Sequence, residues 1–237
     1  MTGIPLLALR AATLYSALTL VTTPANCQRA PNTLTDQERL AGWRLLFDGT
    51  SAAGWRSYQN ATAPIGGWQA VDGALTRVGN AGDIITSESF KDFELQLEWK
   101  LRPRGNSGIF YRVAEGSEAM YYSGPEMQVL DDNGHPDGQS ELTSAGAGYG
   151  LYPAPRGVVK PVGEWNAVRI VVKGNHVEHW LNGRKIVEYE LGSPDWLERV
   201  KNSKFKQWPE YGRAAEGHIG LQDHGDWVAF RNIKIRG

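Results

Sequence analysis

Apolar and polar residues alternate at every second position through much of the chain. The clearest run is Phe93 to Leu101, where Phe93, Leu95, Leu97, Trp99 and Leu101 alternate with Glu94, Gln96, Glu98 and Lys100. A period of two puts the apolar set on one face of an extended strand, as in an antiparallel sheet with one wet side. Trp165 to Val172 predicts another strand. His176 to Leu181 and Arg184 to Tyr189 flank Asn182-Gly183, a dipeptide that accepts positive φ and so predicts a tight hairpin. His218 to Gln222 and Val228 to Ile235 predict strands near the C-terminus. Helical signals are confined to two short stretches. Thr35-x-x-Glu38 is a capping box and predicts a helix over Thr35 to Ala41. Ser193 as cap, Pro194 at the first position, and Trp196, Leu197 and Val200 on one side predict a second helix, ending near Ser203 to Phe205. Glu141 to Pro161, rich in Gly, Ala and Pro, predicts a long loop of the kind that often carries function. Together these elements predict an all-β fold: a two-sheet antiparallel jelly-roll sandwich with one or two short helices.

The first thirty residues break this pattern. Met1 to Ala30 holds no acid, an early Arg10 and an apolar run from Ala11 to Val21. That arrangement predicts an export leader over 1–30, with cleavage near Pro24-Ala25 or at Ala30. Cys27, the single cysteine, stands where a lipoprotein carries its lipid, although Pro24-Ala25-Asn26 departs from the small-residue pattern that lipidation favours. The expected location is periplasmic, outer-membrane-associated or extracellular, with membrane attachment only through a lipidated Cys27. The remaining 31–237 suits a single β-sandwich domain. The net charge of −1 comes without a basic stripe, which excludes the electrostatic footprint of nucleic-acid binding. Nine Trp and nine Tyr supply either core bulk or flat faces on which a pyranose can stack.

Candidate chemistry centres on Pro125 to Asp132. On a strand, Met127 and Val129 point to the core, so Glu126 and Gln128 point together into a cleft or solvent. Sandwich-fold glucanases place two carboxylates on one strand face, and here the second position is an amide. In Gly105 to Arg112 a turn feeds a strand, and Arg112 can orient a sugar hydroxyl or stabilise an oxyanion. His176 and His179 are three apart on a strand and face opposite sides, so they cannot share a metal. Gln222 and His224 can share a face, and a metal there is one reading among others. His135 sits in the acidic turn Asp131-Asp132-Asn133-Gly134, which lacks full calcium-loop spacing and reads first as a plain turn. No Gly-x-Ser-x-Gly elbow is present, and the cysteine lies in the leader, so a Ser or Cys nucleophile is unsupported.

Several stretches in one order make the chain similar to a known family. They are Gly42-Trp43-Arg44-Leu45-Leu46-Phe47-Asp48-Gly49, Gly105 to Arg112, Glu126 to Asp131, Trp165-Asn166, Leu181-Asn182-Gly183, Ser203-Lys204-Phe205, Gly217 to Gly225 and Phe230-Arg231-Asn232-Ile233. In these the chain resembles the 3-keto-disaccharide hydrolase domain family, from about Thr33 to the C-terminus. The resemblance implies a concanavalin A-like jelly roll, an exported bacterial protein, and action on a small carbohydrate already oxidised at C3. Such chemistry needs one base and one oxyanion stabiliser rather than two flanking acids. A 3-ketone acidifies the C2 proton, its removal gives an enolate that expels the C1 aglycone, and water then adds back. Glu126 or His224 is the expected base. Arg112, Lys204 or a divalent cation is expected to hold the enolate. Asn106, Gln128, Gln222, Tyr111 and His135 are the expected substrate-positioning residues. The competing expectations are a non-catalytic carbohydrate-binding module and an ordinary glycosidase whose second acid is Asp223 or Asp226.

Overall fold

A computed structural model describes residues 1–3 and 30–237. The leader expected at 1–30, including Cys27, falls on 4–29 and so lies outside the described residues. In chain order the strands are β1 (Arg44–Leu45), β2 (Trp55–Ser57), β3 (Trp68–Val71), β4 (Ala74–Arg77), β5 (Ile84–Thr86), β6 (Phe93–Leu101), β7 (Asn106–Val113), β8 (Glu126–Leu130), β9 (Asn166–Lys173), β10 (His176–Leu181), β11 (Arg184–Glu190), β12 (His218–Leu221) and β13 (Val228–Arg236). Among the described residues, two α-helices, α1 (Asp36–Leu40) and α2 (Pro194–Lys201), lie outside the sheets. The larger sheet runs β11-β10-β9-β6-β13-β4-β3, with β1 also on β13, and the smaller runs β2-β5-β12-β7-β8. This is the expected two-sheet antiparallel sandwich.

The local signals act as their chemistry requires. Thr35 and Glu38 complete the reciprocal capping box of α1, and Ser193 caps α2 with Pro194 in its first turn. Strand β6 buries every odd position from Phe93 to Leu101 and leaves the even ones half-exposed. On that wet face Glu94 pairs with Arg169 and Arg236, and Glu98 with Arg231. The opposite face of the larger sheet presents Leu95, Leu97, Ile170, Val172 and Phe230 to Ile109, Met127, Val129, Ile219 and Leu221 of the smaller one. A second, smaller apolar cluster of Tyr58, Ile85, Phe110, Val113 and Met120 covers one end of the smaller sheet's outer face. That leaves the other end free for a pocket.

The main core contains a polar chain that reaches the long loop. His179 is fully buried, and its Nδ1 donates to the Gly146 carbonyl at 3.0 Å. A carbonyl only accepts, so Nε2 accepts the Tyr111 hydroxyl at 2.8 Å, and Tyr189 then donates to Tyr111. Gly146 has φ +87, and a Cβ there would stand 2.2 Å from Ile186 Cδ1, so only glycine brings this carbonyl to the histidine. Burial holds the His179 imidazole down at about 4 against an ordinary 6.5. Unfolded chain therefore gains this proton at higher pH than folded chain, and stability falls as pH drops from 6.5 towards 4. Urea titrations should show a loss of about 3 kcal/mol across that window from this group. His179→Phe should be less stable at neutral pH yet lack that component, so the gap between the two proteins narrows on acidification. Parallel curves would refute a neutral, buried His179.

Candidate functional site

A pocket of about 350 Å3 opens on the uncovered end of the smaller sheet, among Asp83, Asn106, Glu126, Lys204, Gln222 and His224, with Gln128, Tyr121, Tyr149 and Asp223 completing it. Six residues expected from the sequence converge here: Glu126, Gln128, Asn106, Gln222, Lys204 and His224. All of β8 is buried, because the long loop zips onto its free edge through Gly146 N–H to Gln128 O, Gln128 N–H to Ala147 O and Tyr149 N–H to Glu126 O. Met127 and Val129 join the core, as parity requires, and Glu126 turns to the pocket.

The Glu126 carboxyl lies across Gly108 on the neighbouring strand. A Cβ on residue 108 would sit 2.1 Å from Glu126 Oε1, so the glycine makes room for the acid. Glu126 is 7% exposed, and its side chain makes no hydrogen bond among the described residues. Burial pushes its carboxyl up to about 8, with Asp83 and Asp137 adding to the rise and Lys204 opposing it. At neutral pH Glu126 is mostly protonated, the reverse of what its expected role as base needs. Asp83 is a second, differently tuned acid. Burial raises it to about 6; the Asp223 N–H, donating at 2.9 Å, works against that rise, as does His224. Two carboxyls held on either side of pH 7 give the pocket one acid and one base. Among the described residues, Lys204 is the lysine lining it; its ammonium stands 4.6 Å over the Tyr149 ring and 5.6 Å over Tyr121. Tyr149 donates to Asp137 at 3.3 Å, and burial first, then Asp137, pushes its phenol up to about 12.

The amides divide into one spent and one free. Gln128 donates to the Thr143 carbonyl and accepts from Val129 N–H, so its expected contact with substrate is replaced by a role in holding the loop. Asn106 Oδ1 is buried without a hydrogen-bond partner among the described residues, on a residue that lines the pocket. Asp223, offered as a second acid, is committed elsewhere. Although its burial works upward, the N–H groups of Gly225, Gly82 and Ala81 and the Arg77 guanidinium hold it below the ordinary carboxylate range. Asp226 accepts from Asn106 N–H and does not line the pocket.

Three expected site residues lie elsewhere. Tyr111 is fully buried and spends its hydroxyl on His179 and Tyr189. Arg112 stands between the cluster residues Phe110 and Val113 at the far end of β7, with φ +50, and its guanidinium is tied to the carbonyls of Lys91 and Gly174. His135 is nearby but outside: its Nδ1 accepts from Asp137 N–H, and its ring stands edge-on to His224 at 6.4 Å. The acidic turn before it is closed by its own backbone, since Asp131 accepts from Arg104, Asn133 and Gly134 N–H groups. Asp83, Tyr121 and Tyr149 escaped the sequence reading. Asp83 precedes a three-residue strand with no motif around it, and only the pairing of β5 with β12 carries it to Glu126. None of the nine tryptophans lines the pocket, and the two tyrosines provide its aromatic faces.

One grouping of three His, Asp or Glu ligand atoms occurs among the described residues: His176, Glu178 and Glu188, on the β10–β11 hairpin, with Lys185 bonded to both glutamates. The pocket's Asp83, Asp223 and His224 are not gathered that closely, and Lys204 provides its positive charge.

Comparison with known proteins agrees with this architecture. Residues 42–236 match the family described as the 3-keto-alpha-glucoside-1,2-lyase-like domain. A 3-keto-disaccharide hydrolase of Bacteroides thetaiotaomicron is 37% identical over 227 residues, covering 82% of this chain and 78% of its own. A crystal structure from Parabacteroides distasonis, described as a candidate glycosyl hydrolase, superposes with a TM-score of 0.82 at 35% identity, over 87% of this chain and 99% of that one. A second one from the same organism gives 0.65 at 31% identity, over 82% and 98%. With its jelly roll, its pocket on the smaller sheet and a match across 42–236, the chain belongs to the 3-keto-alpha-glucoside-1,2-lyase-like domain family.

Proposed function

We propose that this protein cleaves 3-keto-glycosides or 3-keto-disaccharides by elimination and rehydration in the pocket around Glu126, and that its leader pattern sends it out of the cytoplasm. The observation that carries the reading is a buried, unpartnered Glu126 carboxyl beside a more acidic Asp83. The Bacteroides thetaiotaomicron relative, named a 3-keto-disaccharide hydrolase, supports the substrate class.

In this reading Asp83, ionised at neutral pH, removes the C2 proton made acidic by the 3-ketone. His224, exposed beside it at the rim, is the alternative base. The C2–H electron pair moves into the ring, and charge collects on the C3 oxygen, where the caged Lys204 ammonium stabilises it. The C1–O bond then breaks, and protonated Glu126 gives its proton to the departing oxygen. Water adds to C1 of the resulting enone while a proton returns to C2, so the balance is a hydrolysis. Asn106 Oδ1 accepts a sugar hydroxyl, and Gln222 sets the same ring from the adjacent strand. Tyr121 and Tyr149 give the sugar a flat surface.

A 3-keto-glucoside should turn over faster than its unoxidised parent, and deuterium at C2 should slow the reaction. Faster cleavage of the parent would replace elimination by ordinary two-carboxyl hydrolysis using Asp83 and Glu126. The reaction needs Asp83 ionised and Glu126 protonated. The plot of kcat/KM against pH should therefore rise through about 6 and fall through about 8. Asp83→Asn should abolish the rising limb and Glu126→Gln the falling one, each lowering kcat by about 10²-fold or more. Near-normal rates in both variants would remove these carboxyls from the mechanism.

A further inference from the structure

A larger cavity, of about 530 Å3, opens beside α2 and shares no lining residue with the Glu126 pocket. Its volume is in the usual range for small-molecule sites. The walls are apolar and aromatic, chiefly Leu191, Trp196, Phe205, Trp208 and Tyr211, with the Trp196 and Tyr211 ring planes 3° apart. Its charged lining is one-sided: Arg112, Lys206 and Arg213 border it, and no Asp or Glu does.

Arg112 has the environment of a built site. Its side chain is 4% exposed. Nε and Nη2 donate to the Lys91 carbonyl at 3.3 and 3.0 Å, and Nη2 also donates to Gly174 O at 2.5 Å. Nη1 makes no hydrogen bond among the described residues. The nearest carboxylate, Asp92, stands 3.7 Å from Nη2, is about half exposed and accepts the Gly174 N–H. The backbone at Arg112 is left-handed, at φ +50, which costs a residue with a Cβ about 1 kcal/mol. This is where β7 and β12 slip register, and Gly217 passes so near that a Cβ on it would lie 2.5 Å from the Arg112 carbonyl carbon. A strained turn and a desolvated guanidinium together leave one free donor nitrogen, Nη1, on a residue that lines the aromatic cavity.

A buried cationic donor of this kind pairs best with a carboxylate, through a short charge-assisted hydrogen bond. Trp196, Tyr211 and Phe205 stack on one another as one apolar wall against which a flat ring can lie, and Lys206 and Arg213, both exposed, add positive charge at the mouth. We propose that this cavity is a second ligand site, separate from the Glu126 pocket, and that it binds a monocarboxylate carried on an aryl or pyranosyl ring.

The full chain is titrated by calorimetry with sodium benzoate, neutral benzamide and sodium glucuronate. Benzoate or glucuronate should bind with a Kd on the order of 1 mM or tighter, and benzamide at least about tenfold more weakly. Preference for benzoate assigns the aryl ring, and preference for glucuronate the sugar ring. Arg112→Gln should erase the preference for the charged probe. Because that change also frees the Lys91 and Gly174 carbonyls, a surface variant carries the test if it does not fold. Lys206→Glu with Arg213→Glu should weaken the bound carboxylate about tenfold or more, leave benzamide unchanged and leave keto-glycoside turnover intact. Equal affinity for benzoate and benzamide would overturn the proposal. So would no carboxylate binding at about 20 mM, or carboxylate binding that the double variant leaves unchanged.

Discussion

The constraint around which the molecule is organised is a carboxyl group placed where it has no partner. Glu126 lies against Gly108, under a zipped loop and beneath Lys204, and its carboxyl makes no hydrogen bond among the described residues. A lone buried carboxylate is expensive, so the group keeps its proton well above the ordinary range. Everything that makes it lone is tertiary. The main core holds the back of its strand through Met127 and Val129, the loop covers the free edge, and the missing Cβ at Gly108 opens the space. The same enclosure that raises Glu126 leaves Asp83, at the less enclosed wall, only partly raised. Two acids of different strength in one cleft are the result of different burial rather than different residue type.

The loop that forms this wall is tied through the sandwich. Gly146, three residues before Tyr149, accepts from His179 on the larger sheet, and His179 is held by Tyr111 of the smaller one. A polar chain buried in an apolar core must be fully satisfied to be tolerated, and this one ends on the loop carbonyl. The pocket floor is therefore braced against both sheets. This accounts for Tyr111 and Gln128, residues of the right type in the right strands, being spent on structure instead of substrate.

The outer face of the smaller sheet is divided between the pocket and the apolar cluster under Met120. Arg112, between Phe110 and Val113 of that cluster, has a left-handed backbone and lines a different cavity. Strand parity alone would have kept it on the face of Asn106 and Gly108. The register slip between β7 and β12 breaks the parity, and an alternation rule does not reveal that β7 carries an extra residue against its partner here.

By itself the sequence determined the strands from β6 onward, both helix caps, the Asn182-Gly183 hairpin, the sandwich class and the group of Glu126, Asn106, Gln222, Lys204 and His224. These follow from signals within a few residues: period-two burial, a cap three positions from its partner, a turn dipeptide, a short motif. Only the tertiary structure decided that Asp83 joins Glu126, that Arg112 and Tyr111 leave, that Gln128 and Asp223 are spent, and which carboxyl keeps its proton. Each of those depends on contacts between positions distant in the chain, as when Asp83 meets the Asp223 N–H 140 residues away. Proton affinity depends on burial, and no run of neighbouring residues specifies what will cover a side chain.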